Sequence, residues 1–234
     1  MGPMDFVSVI AVNLLWPIGS ELAVLGAAKP VPPNELQTNA SENGHAMAVV
    51  VLSVLALESA ASRAGFVLAD RPLTGPLLES ALGYLKGKLD AHSCADYDCP
   101  VKGFNTDALF DVFIVRDAIV HNHLWSGAFS YDANGTWTAQ RAPTPEAGFG
   151  DTKFKAHVDM GRGVTTHLAL NVVPTRVWSR DAYLVLQTLF RALAALDHVG
   201  KPLGIQGHPV VFNRRVITYE AFVRYVDEKA AELR

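Results

Sequence analysis

Hydrophobic residues in this chain recur mainly with the three- and four-residue spacing of helices. The most apolar of these stretches covers about residues 42–64, with Ser41 as its N-cap and Gly65 as the first residue after its end. Because this helix is apolar on nearly every side, we expect it at the centre of a bundle. The other helical patterns cover about residues 73–89, 106–125, 180–198 and 219–233, together with one or two short helices within 5–28 that are broken near Pro17. Connecting segments are predicted at the proline-rich stretch 29–34 and at 92–103.

The pattern changes between about residues 127 and 173, where polar and apolar residues alternate. Asp132-Ala133-Asn134-Gly135 predicts a hairpin turn, because Asn and Gly tolerate positive φ, and a second turn is predicted at Gly161-Arg162-Gly163. We therefore expect a small antiparallel sheet of three or four strands, in which His157 and His167 face each other as a structural pair. The predicted fold class is α+β, mainly α, in a single domain covering residues 1–234.

The predicted helix over 106–125 carries ionisable residues within its apolar stripe. Asp117 and His121 lie four residues apart and are therefore neighbours on the helix surface, and the side chain of Arg116 is long enough to reach the same spot. Burying such groups is costly unless they are paired or have a chemical task. A purely structural Asp–His hydrogen bond, with Arg116 extending to solvent, is the alternative that the spacing leaves open.

The opposite face of the same helix is apolar, since it carries Val112, Val115 and Ile119. A helix with two apolar faces must pack on both sides. We expect a second copy of the chain to cover this face, because two-fold pairing is the commonest form of self-association.

Composition restricts the possible partners. Half of the residues are hydrophobic and the formal net charge is −3, which argues against a general polyanion binder and requires a local basic patch for any contact with nucleic acid. Cys94 and Cys99 do not have the spacing of a zinc knuckle, so no metal is predicted and two free thiols are expected, with a loop disulfide as the alternative. The apolar run Ala46–Leu57 is shorter than the ~20 residues that span a bilayer. We expect a cytoplasmic protein with no membrane partner.

The segment Arg116-Asp117-Ala118-Ile119-Val120-His121-Asn122 resembles the signature of the HEPN superfamily, which is an Arg, a polar residue directly after it, and a His after four to six intervening residues. Residues 56–63, an apolar run interrupted by Glu58, resemble the long first helix of such domains. The resemblance implies a HEPN-like helical bundle, with residues 127–173 as a β-insertion within it.

HEPN proteins with an intact motif are typically metal-independent ribonucleases that need no cofactor, and many belong to toxin–antitoxin or antiviral systems. The resemblance thus implies an endoribonuclease with RNA as substrate, a homodimer in which two motifs face each other, and an antitoxin protein as a possible further partner. His121 would act as general acid or base toward the RNA 2′-hydroxyl, Arg116 would bind phosphate oxygens, and Asp117 would orient the imidazole. Weaker assignments are a hydrogen bond from Asn122 to the phosphate and a contact by which Glu58 steadies Arg116.

Two other functions stay open at the level of sequence. One is a catalytically silent HEPN-like module that binds a nucleotide, RNA or a partner protein, and the other is a structural helical protein whose Arg–Asp–His cluster only locks a core. The chain also departs from HEPN toxins that are paired with a nucleotidyltransferase antitoxin. Those toxins carry a Tyr two residues after the His, where this chain has His123, so regulation by nucleotide attachment to tyrosine is not implied.

Overall fold

A computed structural model of the protein describes residues 10–69, 106–121, 125–135, 137–145, 156–199 and 205–234. The helices in this part of the chain are α1 (Ile10–Ala27), α2 (Ala40–Ala69), α3 (Thr106–Val120), α4 (Ser179–Val199) and α5 (Tyr219–Glu232). The strands are β1 (Trp125–Tyr131), β2 (Trp137–Pro145), β3 (Val158–Asp159), β4 (Val164–Thr165), β5 (Val210–Phe212) and β6 (Arg215–Ile217). The predicted class, mainly helical with small antiparallel sheets, is confirmed. The predicted helix 73–89, the predicted loop 92–103 and both cysteines lie outside the described residues.

Helix α2 occupies the centre of the helical core, as its apolar sequence predicts, and packs against α1, α3 and α4. Its bounds differ from the predicted 42–64. The N-cap is Asn39 rather than Ser41, since Asn39 Oδ1 accepts hydrogen bonds from the backbone N–H groups of Ser41 (2.9 Å) and Glu42 (3.3 Å). Gly65 does not end the helix. A glycine in a helix interior costs only about 1 kcal/mol, which the burial of the preceding turns outweighs.

Helix α1 runs without a break through Pro17, so the predicted interruption is wrong. Leu15, Ile18 and Leu22 are fully buried and hold the turns on both sides of the proline against the core. Pro17 itself lies on the exposed face of the helix. The backbone carbonyl that loses its hydrogen-bond donor there can be hydrated, which makes the proline tolerable.

The segment that joins α1 to α2 is irregular over residues 29–39, as the prolines predict. Among the described residues, one helical stretch, Ala40–Ala61, is long and apolar enough to cross a membrane by length and composition, and 56% of that stretch is buried within the protein. This stretch is longer than the apolar run Ala46–Leu57 noted in the sequence, because it includes residues on both sides of that run. The central helix of a bundle meets the same criteria.

The β-region forms separate two-stranded ladders rather than the single sheet that the alternation predicts. The β1–β2 hairpin has the predicted turn, in which Gly135 adopts a φ of +77° and Asp132 Oδ1 accepts a hydrogen bond from Asn134 N at 2.8 Å. β3 and β4 pair over two residues each. They end there because the backbone N–H groups of His167 and Leu168 donate to a buried carboxylate of α3, at 3.0 and 2.7 Å, instead of to a strand.

The β5–β6 hairpin was not predicted. Its two turn residues, Asn213 and Arg214, have φ values of +50° and +60°, the conformation of a tight hairpin turn, but the sequence lacks the glycine that usually marks it. The hairpin packs on α1 where Gly19 allows a close approach, because a Cβ atom at this position would collide with the carbonyl oxygen of Val211. The absence of a side chain at Gly19 thus allows α1 to pack closely against the β5–β6 hairpin, which is distant from it in the sequence.

The second apolar face of α3 is covered by the protein itself. Val112 and Val115 are buried, Ile119 packs partly buried against the same core, and α3 contacts α2 and α4 of the same chain. The expectation that this face needs a second copy as cover is therefore wrong. This covered face therefore provides no reason to expect a homodimer.

Asp181 closes the N-terminus of α4 from inside the core. Its fully buried carboxylate accepts hydrogen bonds from Trp178 N (3.1 Å), Asn171 N (3.2 Å) and Asn171 Nδ2 (2.9 Å). The bond to Trp178 is the back-reaching half of a capping box. Burial raises the pKa of Asp181 to about 6 despite these hydrogen bonds and the nearby Arg180 guanidinium.

The raised pKa of Asp181 predicts a specific dependence of stability on pH. The folded protein holds this proton more tightly than the unfolded chain, whose carboxyl titrates near 3.8, so the stabilisation is complete below that pH and is lost as the pH rises through about 6. Two pKa units correspond to about 3 kcal/mol of unfolding free energy. We expect Asp181→Asn to remove this slope in urea denaturation between pH 4 and 7. Asp132→Asn in the exposed hairpin turn is the control, and an unchanged slope in Asp181→Asn would contradict the assignment.

Candidate functional site

The site begins where α2 meets α3 through an ion pair between buried side chains. Arg116 Nη2 lies 2.6 Å from Glu58 Oε1, and the side chains are only 15% and 7% exposed. The two residues are 58 positions apart in sequence, so only the packing of the two helices brings them together. The predicted contact between Glu58 and Arg116 is therefore present in the structure as a direct hydrogen bond.

Asp117 and His121 extend this pair toward the surface. Arg116 Nη1 lies 3.0 Å from Asp117 Oδ1, and the same oxygen lies 4.0 Å from His121 Nε2. His121 follows the last helical residue, and its backbone N–H still donates to the carbonyl oxygen of Asp117 at 3.0 Å. Its imidazole is 61% exposed, whereas the Asp117 side chain is 7% exposed. The four side chains thus run in a row from the core to the surface at the end of α3, while Asn122 lies outside the described residues.

The electrostatics of this row are set by two carboxylates on one guanidinium. Burial raises the pKa of Glu58, the charge of Arg116 opposes that effect, and the charge of Asp117 adds to it. With both carboxylates ionised, Glu58, Arg116 and Asp117 together carry a formal charge of −1. The guanidinium of Arg116 also lies over the ring of Phe113, with its Cζ 5.8 Å from the ring centroid.

One nitrogen of Arg116 is buried without a hydrogen-bond partner among the described residues. This nitrogen is Nε, whereas both terminal nitrogens are engaged. Buried N–H groups are almost always paired in folded proteins, so an unpaired one needs an explanation. The row as a whole offers an exposed imidazole for proton transfer and, beneath it, a guanidinium that is already held by carboxylates.

A second polar cluster near the start of α3 contains the predicted pair of His157 and His167, but the part that acidic residues have in it was not predicted. Asp111 is fully buried, its Oδ2 accepts the two backbone N–H groups that end β4, and burial raises its pKa. The rings of His157 and His167 lie 6.3 Å apart, and His157 stacks on Phe110 at 5.1 Å. His167 Nε2 lies 3.9 Å from Asp107 Oδ2. In the sequence, the position of Asp111 among apolar residues of a predicted helix is the only signal of this role. No group of three or more His, Cys, Asp or Glu residues in the described chain is arranged to hold a metal ion.

Two cavities in the described part of the chain lie apart from the four-residue row. A groove of about 490 Å³ between α4 and α5 is lined by Phe190 and Tyr219 among others, and its Gln187 Nε2 already donates to Asp227 Oδ1 at 2.7 Å. A cavity of about 300 Å³ lies between α1 and the start of α2. The groove is the larger of these two cavities. The row, however, combines an exposed imidazole that can transfer a proton with a guanidinium that can bind an anion. We therefore place the candidate site at the row.

Comparisons of the chain with protein-family models, with curated proteins and with solved structures gave no match. The functional argument therefore depends on the residues of this chain and on the resemblance of its motif.

The burial of Arg116 predicts a difference in stability between two variants of the row. Arg116→Ala leaves two buried carboxylates without their shared cation, and we expect it to lower the free energy of unfolding by about 3 kcal/mol. His121→Ala removes a largely exposed ring and should change it by less than about 0.5 kcal/mol. Chemical denaturation of both variants beside the wild type measures the difference. Equal stability of Arg116→Ala and the wild type would show that the guanidinium is not required to hold the two helices.

Proposed function

We propose that this protein is a HEPN-like, metal-independent endoribonuclease that cleaves RNA by attack of a 2′-hydroxyl on the adjacent phosphodiester. The observation that carries the proposal is the row of Glu58, Arg116, Asp117 and His121, which ends in a largely exposed imidazole. Such an arrangement places an imidazole, which can accept or donate a proton, at the surface, above a cation suited to a phosphate. The resemblance concerns the order of residues in the sequence, and the row adds that these side chains also lie close together in space.

His121 is the proton-transfer group in this mechanism. The 2′-oxygen attacks phosphorus as its proton passes to an imidazole, the bond from phosphorus to the 5′-oxygen breaks, and that oxygen receives a proton as it leaves. The products are a 2′,3′-cyclic phosphate and a 5′-hydroxyl end. The reaction needs one group to accept a proton and one to donate a proton. A second copy of the chain, with its own His121 facing the first, would supply the second group.

The other residues of the row act on charge and orientation. Arg116 binds the non-bridging oxygens of the phosphate, on which negative charge increases in the transition state. Asp117 orients the imidazole of His121, Glu58 steadies Arg116 from α2, and Asn122 donates a hydrogen bond to the phosphate. In this proposal the protein acts in the cytoplasm as a toxin or an antiviral effector, with an antitoxin protein as its partner where it is a toxin.

A catalytically silent HEPN-like module that binds a nucleotide, RNA or a partner protein is the second candidate. One observation favours it. Both terminal nitrogens of Arg116 already contact carboxylates, and the guanidinium is mostly buried. If that arrangement persists in the presence of RNA, the exposed histidine has no cation beside it to stabilise the transition state.

Cleavage of RNA by the purified protein tests the proposed function. A general acid or base typically contributes ~10²–10⁴-fold in rate, so we expect His121→Ala to reduce cleavage to that extent. Cleavage by the wild type should persist in EDTA. Arg116→Lys should cleave much more slowly than the wild type, because a lysine cannot hold two phosphate oxygens at once. The assay follows fragment formation from total RNA.

The matched control for this assay is His208→Ala, which removes another exposed histidine outside the row. It should cleave like the wild type. Cleavage that neither His121→Ala nor Arg116→Lys reduces would indicate a contaminating nuclease. No cleavage by the wild type on any RNA would favour the silent module.

The need for a second imidazole predicts a homodimer. Light scattering at micromolar concentration should give about twice the chain mass of 25.3 kDa. Mixing inactive His121→Ala with wild-type protein should lower the activity per wild-type chain if both copies contribute to one site. A mass of one chain together with full activity would exclude pairing as part of the mechanism.

A further inference from the structure

The guanidinium of Arg116 has one edge that is only half used. Nε and Nη2 point to the same side of the group and together form the two-pronged edge that holds a carboxylate or phosphate through parallel hydrogen bonds. Glu58 Oε1 contacts Nη2, one of the two nitrogens of this edge, at 2.6 Å, while Nε is buried without a hydrogen-bond partner in the described chain. Glu58 therefore engages one of the two nitrogens that a two-pronged anion would need.

The other nitrogen, Nη1, has a different kind of partner. It contacts Asp117, which neighbours Arg116 on the same helix and also lies 4.0 Å from His121. That contact is local to α3 and positions the guanidinium relative to the imidazole. Glu58 comes from α2, so its side chain can leave the edge without any change in α3.

The charge around this edge disfavours an incoming phosphate while Glu58 is in place. Glu58 and Asp117 together exceed the charge of Arg116 by one negative unit, and both side chains are only 7% exposed. Charges that are shielded from water interact strongly, whether they attract or repel. A phosphodiester that approached Arg116 would meet the carboxylate of Glu58 at the nitrogen that it needs.

We propose that Glu58 is an internal anionic ligand of Arg116, which contacts Nη2 in the free protein and is displaced from it when an RNA phosphate binds the Nε–Nη2 edge. The proposal rests on the proposed function, because it assumes that the ligand is a phosphate of RNA. It assigns Glu58 a second role beside steadying the guanidinium, which is to keep the site closed to anions until RNA competes for the edge. The unpaired Nε is explained as the prong that only the phosphate uses.

Removing the charge of Glu58 should then tighten the binding of RNA. The probe is a fluorescent, single-stranded 2′-O-methyl oligoribonucleotide, which has the phosphates of RNA but no free 2′-hydroxyl and cannot be cleaved by this route. We expect Glu58→Gln to lower its dissociation constant, measured by fluorescence anisotropy, by roughly tenfold. Glu21→Gln is the matched control, because Glu21 is a partly buried carboxylate on α1 that is paired with His45 of α2 and lies outside the row. It should bind like the wild type.

Two further variants make the test independent of folding and of general charge. Glu58→Asp withdraws the carboxylate by one methylene and keeps its charge, and it should give a smaller gain in affinity than Glu58→Gln. The double variant Glu58→Gln with Arg116→Gln should lose the gain, since the proposal places the phosphate on Arg116. Thermal unfolding of each variant verifies that the folded protein is compared.

The outcomes separate this proposal from the proposed function. Unchanged or weaker binding by Glu58→Gln, a gain that survives the loss of Arg116, or no binding by any variant would each overturn the role of Glu58. Cleavage by the wild type that depends on His121, without a gain in Glu58→Gln, would leave the ribonuclease standing and exclude the internal ligand. A gain in affinity without any cleavage would support the internal ligand on a module that binds RNA and does not cut it.

Discussion

The structure depends on the requirement that a carboxylate inside an apolar helical core must be hydrogen-bonded or paired. Asp181 meets it by closing the N-terminus of α4, and Asp111 meets it by accepting the backbone of the segment after β4. Glu42 lies in the first turn of α2 and accepts the hydroxyl and the backbone N–H of Ser179 at the start of α4. Asp111 and Glu42 join parts of the chain that are distant in sequence, whereas Asp181 holds α4 to the segment just before it. These acids therefore add directional contacts to a core that is otherwise mainly apolar.

Glu58 belongs to the same group, and its partner makes it different. The other three acids bind mostly backbone N–H groups, hydroxyls or amides, whereas Glu58 binds the guanidinium of the residue that the motif marks as a phosphate ligand. The contact that stabilises the packing of α2 on α3 is thus made by the group that the proposed chemistry requires. Stability and function compete for one side chain. A loss of activity in a variant of Arg116 is informative only beside a measurement of stability, while the exposed His121 reports on chemistry more directly.

Prediction from sequence succeeded where the relevant interactions are local. The spacing of Asp117 and His121 places them within reach of each other on any helix, and the Asn-Gly turn specifies its hairpin through backbone preferences alone. It failed where a distant contact overrides a local preference. Pro17 should break a helix, but the buried residues on both sides of it hold α1 continuous. The alternation after Gly163 should make a longer strand, but the carboxylate of Asp111 takes the N–H groups that the strand would have used.

For this protein the sequence by itself determined the helical class, the central position of α2 and the neighbourhood of Arg116, Asp117 and His121, because each follows from periodicity over a few turns. Only the tertiary structure decided that Val112 and Val115 are covered by the protein's own helices rather than by a second copy. It also decided that Glu58 contacts Nη2 of Arg116 and that Nε of the same guanidinium stays unpaired among the described residues. The physical reason is the same in both cases. Helix spacing specifies which face a residue occupies, but the partner on that face comes from a segment whose distance in sequence carries no information about its distance in space.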